Sequence, residues 1–201
     1  LYGDDRYLND SRNGARLDFG AWIDPRRSIG IGGGFFTLEN ASNGFSAASD
    51  GEPILARPFF NPNTSAEDSA LVAYSSTLTG DIIAGAITAN TSNSLVNANA
   101  YMTGLLYREY GVRFDLLGGY RFTRFDEDVT VTENLVVTEQ GGFAPPGTTF
   151  NTLDTFDVTN EFNGGELGVL FESTSGRWSI DGAFKIALGN MHQTANVWGS
   201  T

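Results

Sequence analysis

Along much of the chain, apolar and polar residues alternate with a period of two, the spacing of a strand with one dry and one wet face. Over residues 112–122 one face carries Val112, Phe114, Leu116, Gly118, Tyr120 and Phe122, and the other Arg113, Asp115, Leu117, Gly119 and Arg121. Residues 15–23 repeat the scheme, with Leu17, Phe19, Ala21 and Ile23 opposite Arg16, Asp18, Gly20 and Trp22. After the turn-forming Asp24-Pro-Arg-Arg, residues 29–38 resume an extended pattern and predict a hairpin. Residues 95–107 set Val96, Ala98, Ala100 and Met102 against Asn97, Asn99, Tyr101 and Thr103. The last hairpin places Leu167, Val169 and Phe171 opposite Glu166, Gly168 and Glu172. Its second arm places Trp178, Ile180, Phe184, Ile186 and Leu188 opposite Arg177, Asp181 and Lys185. Residues 71–74 and 81–89 read as further strands, so the chain is expected to hold about eight, from segments near ten residues each.

Two architectures fit such walls. In a sandwich the apolar faces pack together; in a membrane barrel they face lipid and the charged faces line water. Arm length favours the barrel. The hairpin of 95–107 and 112–122 has arms near the roughly ten residues that a tilted membrane strand needs, whereas soluble strands average about five or six. Residues 39–70 and 133–160, rich in Asn, Ser, Gly and Pro, read as long loops of the barrel's exterior, with Gly141-Gly and Pro145-Pro-Gly as breakers. Residues 126–133 are expected to carry the strand past the membrane, and 189–201 to form a polar tail.

Composition narrows the function classes. No stretch approaches the run of about 20 apolar residues of a membrane helix, so a membrane location requires strands. The formal charge is −12, with a pI near 4.3, which argues against a nucleic-acid partner. Lys185 is the only lysine, and arginine otherwise supplies the cations, suited to fixed bidentate pairs with carboxylates. There is no cysteine, so disulfides, thiolate metal sites and cysteine nucleophiles are excluded. The first residues, Leu-Tyr-Gly-Asp-Asp, have neither the basic nor the apolar region of a secretion signal, and the chain is expected to be mature or an internal piece.

Candidate chemistry is sparse. Gly30-Ile-Gly-Gly-Gly lacks the lysine and following helix of a phosphate loop, and reads as a strand needing small residues. The acidic group Asp126, Glu127 and Asp128, and the pair Asp154 and Asp157, lack the EF-hand spacing and read as solvated acids. His192 has no accompanying GxSxG elbow. No catalytic residue, cofactor or metal site is expected. The candidates for a lumen wall are Arg16, Asp18, Arg113, Asp115, Arg121, Glu166, Glu172, Arg177, Asp181 and Lys185, as cross-strand pairs or as determinants of selectivity. The candidates for lipid contact are Phe114, Leu116, Tyr120, Trp178, Ile180, Phe184 and Ile186.

Several segments resemble, in order, a planctomycetal family of outer-membrane β-barrel porins. They are Arg16-Leu-Asp-Phe-Gly-Ala-Trp, Gly32-Gly-Gly-Phe-Phe, Leu55-Ala-Arg-Pro-Phe-Phe and Arg113-Phe-Asp-Leu-Leu-Gly-Gly-Tyr-Arg-Phe. Asp154-Thr-Phe, Asn160-Glu-Phe-Asn-Gly-Gly-Glu-Leu-Gly, Arg177-Trp and Lys185-Ile-Ala-Leu-Gly follow. The resemblance implies a barrel in a bacterial outer membrane, with lipid as its environment. The expected fold is therefore all-β: one domain over residues 1–201, an antiparallel up-and-down barrel with a strand-rich core at 15–188 and long loops. Closure within these residues is left open, and a homo-oligomer or other envelope proteins are candidate partners. The expected role is structural support or passive diffusion of small hydrophilic solutes. The alternative is a soluble surface-layer, fibre or adhesin component without a pore.

Overall fold

The computed structural model describes residues 11–76, 78, 80–139 and 144–201. They form eight antiparallel strands: β1 (Gly14–Trp22), β2 (Ile29–Ser49), β3 (Leu55–Asn61), β4 (Ala66–Ser75), β5 (Ile82–Glu109), β6 (Val112–Glu139), β7 (Thr149–Ser175) and β8 (Trp178–Ser200). The main path runs β1-β2-β5-β6-β7-β8, while among the described residues β3 pairs only with β4, and β4 touches the end of β5 through Tyr74 and Ser75. Among the described residues no pairing joins β1 to β8, so the sheet is not closed.

Local chemistry fixes the hairpins. Tyr110 and Gly111 both have positive φ, at 51° and 79°, the left-handed pair that a two-residue turn needs to match strand twist. Gly176 takes φ 60° at the β7–β8 turn. At the β1–β2 turn, Asp24 Oδ1 accepts the amides of Ser28 at 2.7 Å and Ile29 at 2.8 Å.

The strands are far longer than the alternation indicates. β5 and β6 each run 28 residues, on the order of 90 Å of strand at about 3.3 Å per residue. The segments 39–70 and 133–160, expected as long loops, are mostly strand: β2 continues to Ser49, β3 and β4 occupy 55–61 and 66–75, β6 reaches Glu139 and β7 begins at Thr149. Residues 81–89 and 95–107 belong to one strand, and the expected polar tail is the second half of β8. Residues 1–14, polar and rich in turn formers, are expected as a lead-in, of which 1–10 lie outside the described residues, as does the breaker Gly141-Gly; Pro145-Pro-Gly does fall in the β6–β7 connection.

The reason is a reversal of polarity along the strands. Over 112–122 the even positions of β6 are apolar and the odd ones largely polar; past Phe122 the register continues unbroken, but the roles exchange. Arg124, Asp126, Asp128, Thr130, Thr132 and Asn134 now share the face of Leu116, while Phe125, Val129, Val131, Leu135 and Val137 share that of Arg113, with Thr123, Glu127 and Glu133 as the polar exceptions among them. The neighbours agree: Ser92, Asp128, Asp157 and Asn196 form one cross-strand row, and Thr91, Val129, Phe156 and Val197 the next. A strand is thus apolar on one face in its first part and on the other in its second.

The sheet curls toward the Arg113 face. On a flat sheet, side chains three strands apart would be separated by roughly 14 Å, from a spacing near 4.8 Å. Yet Lys185 of β8 sits 4.4 Å from the Tyr101 ring of β5, and the Arg113 guanidinium of β6 lies 4.1 Å from the Trp22 ring of β1. Burial follows the curl: Leu117 is 0% exposed and its neighbour Leu116 55%.

Candidate functional site

Three rows of paired residues build the concave wall. The first reads Trp22, Gly30, Thr103, Leu117, Gly168 and Lys185 across six strands; the second Gly20, Gly32, Tyr101, Gly119, Glu166 and Ala187; the third Asp18, Gly34, Asn99, Arg121, Gly164 and Gly189. The glycines make room for the large partners. A Cβ on Gly32 would stand 2.7 Å from the Tyr101 ring, and one on Gly30 2.9 Å from Trp22. This is the close approach that the Gly30-Ile-Gly-Gly-Gly string serves.

At the centre lies Glu166, 1% exposed. Its carboxylate pairs with the Arg121 guanidinium, with Lys185 Nζ at 3.2 Å and with the Asn99 amide at 3.2 Å. Arg121 also donates to Asn97 Oδ1 at 3.4 Å. A carboxylate this buried is tolerable because cations and an amide surround it. Nearer the turns, Arg113 holds Asp115 in a two-bond fork at 2.6 and 2.7 Å and donates to the Arg27 carbonyl at 2.8 Å. Arg108 reaches the Arg26 carbonyl at 3.1 Å, so the turns are tied together from within.

The residues singled out from sequence are placed as follows. Arg113, Asp115, Arg121, Glu166 and Lys185 are brought together as described. Glu172 lies beside Arg113 and Asp181 on the same face, and Arg16 pairs with Asp18 on β1 at 2.7 Å, largely exposed because β1 is an edge. Arg177 lies in the β7–β8 turn rather than on a strand. A cavity of about 690 Å³ opens on this wall between Arg16, Asp18, Asn97, Asn99, Arg121 and Lys185. Trp22, Tyr101, Asn97 and Asn99 belong to the site although they were not singled out. Their signal was present, since they share the polar phase of their strands, and Trp22, Tyr101 and Asn99 face glycines of β2.

On the convex face, Leu116, Tyr120, Trp178, Ile180, Phe184 and Ile186 are exposed and Phe114 is half-buried between Tyr107 and Phe171. They belong to a continuous apolar surface. One row reads Ala21, Ile31, Met102, Gly118, Leu167 and Ile186, and the next Phe19, Gly33, Ala100, Tyr120, Gly165 and Leu188. The Tyr120 hydroxyl donates to Asn163 where this surface ends. From Phe114 to Phe122 the belt spans about 25 Å of strand.

A family model described as "Putative beta barrel porin-7 (BBP7)" matches residues 1–201. The chain belongs to this porin family. No curated protein and no solved structure matches it. The antiparallel, all-β sheet, open between β1 and β8, agrees with part of a barrel of such a family.

Chemistry of other kinds has little to build on. His192 is exposed on the convex face, opposite Glu161, with its Nε2 3.3 Å from the Thr194 hydroxyl. Among the described residues, no three His, Cys, Asp or Glu side chains are grouped to hold a metal.

Beyond the belt, the convex face carries a like-charge contact. Asp128 and Asp157 are directly paired across β6 and β7, and partial desolvation, then the facing Asp128 carboxylate, push the Asp157 carboxyl above its ordinary range. A group with a raised folded-state pKa favours the native state at low pH, and that contribution is lost as pH rises through the raised value. Asp157→Asn is therefore expected to raise the denaturant midpoint at pH 7 and to leave it unchanged below about pH 3, where ordinary carboxylates are protonated. An equal gain at both pH values would show that repulsion is not the cause.

Proposed function

We propose that this chain forms part of the wall of a bacterial outer-membrane barrel, with the convex belt against lipid and the concave wall along a water-filled path for small hydrophilic solutes. The observation that carries the reading is the reversal of polarity. Inside the belt the strands are apolar outward and charged inward, as a membrane barrel requires. Beyond it they are polar outward and apolar inward, as strands in water require. A soluble surface protein has no reason to change sides in register on neighbouring strands.

The open edges of β1 and β8 support the same reading through what they need. Unpaired strand edges are not tolerated in hydrocarbon, so the barrel would be completed by further strands, from this polypeptide or a neighbour. The inner wall of the belt is nearly charge-balanced, since Arg113, Arg121 and Lys185 face Asp115 and Glu166. The excess negative charge lies beyond the belt, where acids such as Glu39, Glu67, Asp68, Glu127, Asp128 and Glu161 far outnumber Arg12, Arg57 and Arg124. Such a field concentrates cations at the mouth.

The full-length protein should partition with membranes and require detergent for extraction. Reconstituted in a planar bilayer under a KCl gradient, it should give a reversal potential of cation-selective sign, and the preference should shrink at high salt as the field is screened. A protein that remains in solution without detergent would sink the membrane reading; a sealed bilayer would sink the pore.

A further inference from the structure

One element of the fold is not part of the wall. After two paired positions with β5, β4 leaves the main sheet, and the β3–β4 hairpin lies across the concave face beyond the belt. A side chain on Gly85 would run into the Val72 carbonyl, so the backbone of β4 rests directly on β5. Val72 and Ala73 are 0% exposed in this seat, beside Ile83 and Val137. Further along the hairpin, Arg57 of β3 is clasped by the wall. Its Nη1 donates to Asp154 Oδ2 of β7 at 2.7 Å, and its Nε forms a 2.7 Å ion pair with Glu133 of β6.

We propose that the β3–β4 hairpin is a constriction seated in the apolar mouth, and that it, rather than the polar wall of the belt, sets the size of solute that passes. The inference rests on the pore reading above. Reversed polarity supplies the seat: only where the concave face is apolar can a hairpin bury Val72 and Ala73 against it. The clasp supplies the position. Arg57 bridges two carboxylates of the wall, and without it Glu133 and Asp154, diagonal neighbours on β6 and β7, would repel each other. Past the clasp, Phe59 and Phe60 are exposed at 43% and 64% instead of packed on the wall. An apolar constriction also hinders ions and bulky polar solutes more than a charged one of equal width.

The test uses single-channel recording of the full-length protein in planar bilayers. Replacement of residues 55–75 by a short Gly-Ser linker is expected to raise unitary conductance several-fold and to admit larger neutral polymers. Because residues 1–201 hold no cysteine, Phe60→Cys places a reporter at the hairpin tip, in a variant whose fold does not depend on the deletion, and the protein without this substitution, treated alike, is the control. Its reaction with a bulky methanethiosulfonate should lower the unitary conductance stepwise. Channels whose conductance is unchanged by both the deletion and the modification would overturn the constriction and leave the pore standing. If the wild type does not conduct, the pore reading falls and the constriction with it.

Discussion

Glu166→Gln is expected to destabilise the folded protein by about 3 kcal/mol, the low end of the range for breaking a buried ion pair. The substitution keeps the shape and one acceptor but removes the charge. Arg121 and Lys185 are then left facing each other across a site whose central anion has gone. The low end applies because the two cations keep 28% and 24% of their side-chain surface exposed, so water offsets part of the loss. The measurement is a urea unfolding midpoint in detergent or lipid at neutral pH. The double variant Glu166→Gln, Lys185→Gln should recover a large part of the loss, because the surplus cation is removed with the anion. A loss under about 1 kcal/mol, typical of exposed pairs, would mean that Glu166 is hydrated and not the anchor of the wall.

The contrast between the belt and its extension explains what was legible in the sequence. Within the belt nearly every second residue of 112–122 and 178–188 is large and apolar, and its neighbours include charges, so phase and face are unambiguous. The extension alternates too, but its outward positions are Ser, Thr, Asn and Asp and many inward ones are Ala, Asn or Gly. A surface loop and a wet strand face draw on the same residue types, as in Thr91-Ser-Asn-Ser on β5 and Asn190-Met-His-Gln-Thr on β8. Composition alone therefore reads as loop or tail. Pro58 within β3 added to this, since proline removes a ladder donor and is confined to edges and irregular positions. β3 is such an edge, paired on one side only.

The site was legible to the same extent. Arg113, Asp115, Arg121, Glu166 and Lys185 lie on one face because parity places them there. Which of them meet is set by register and curl. Lys185 reaches Tyr101 across two intervening strands, and no spacing in the sequence encodes that distance. The clasp of Arg57 with Glu133 and Asp154 was beyond reach for the same reason. It joins residues up to 97 positions apart through a hairpin that leaves the sheet, and an isolated arginine among Asn, Ser and Pro carries no mark of its partners.

Leu116→Arg decides between lipid and water on the convex face. Leu116 lies inside the belt, in the row Ile29, Gly104, Leu116, Val169 and Phe184, next to the middle row through Gly118. An arginine at the bilayer midplane of a barrel costs about 2–4 kcal/mol, and near the interfaces about 0–1. Asn134→Arg is the matched control, on the same face of the same strand, whose pairing with β7 runs unbulged between the two positions; an exposed surface substitution changes stability by about 0.5 kcal/mol or less. Refolding into lipid vesicles should therefore separate the two variants by about 2 kcal/mol or more, with Leu116→Arg the weaker. If both were equal, or if Leu116→Arg improved solubility without detergent, the belt would face water and the reversal of polarity would need another cause. The comparison is sharp because the strand supplies its own reference. Position 116 and position 134 share backbone geometry and face, and differ in which side of the Phe122–Arg124 boundary they occupy.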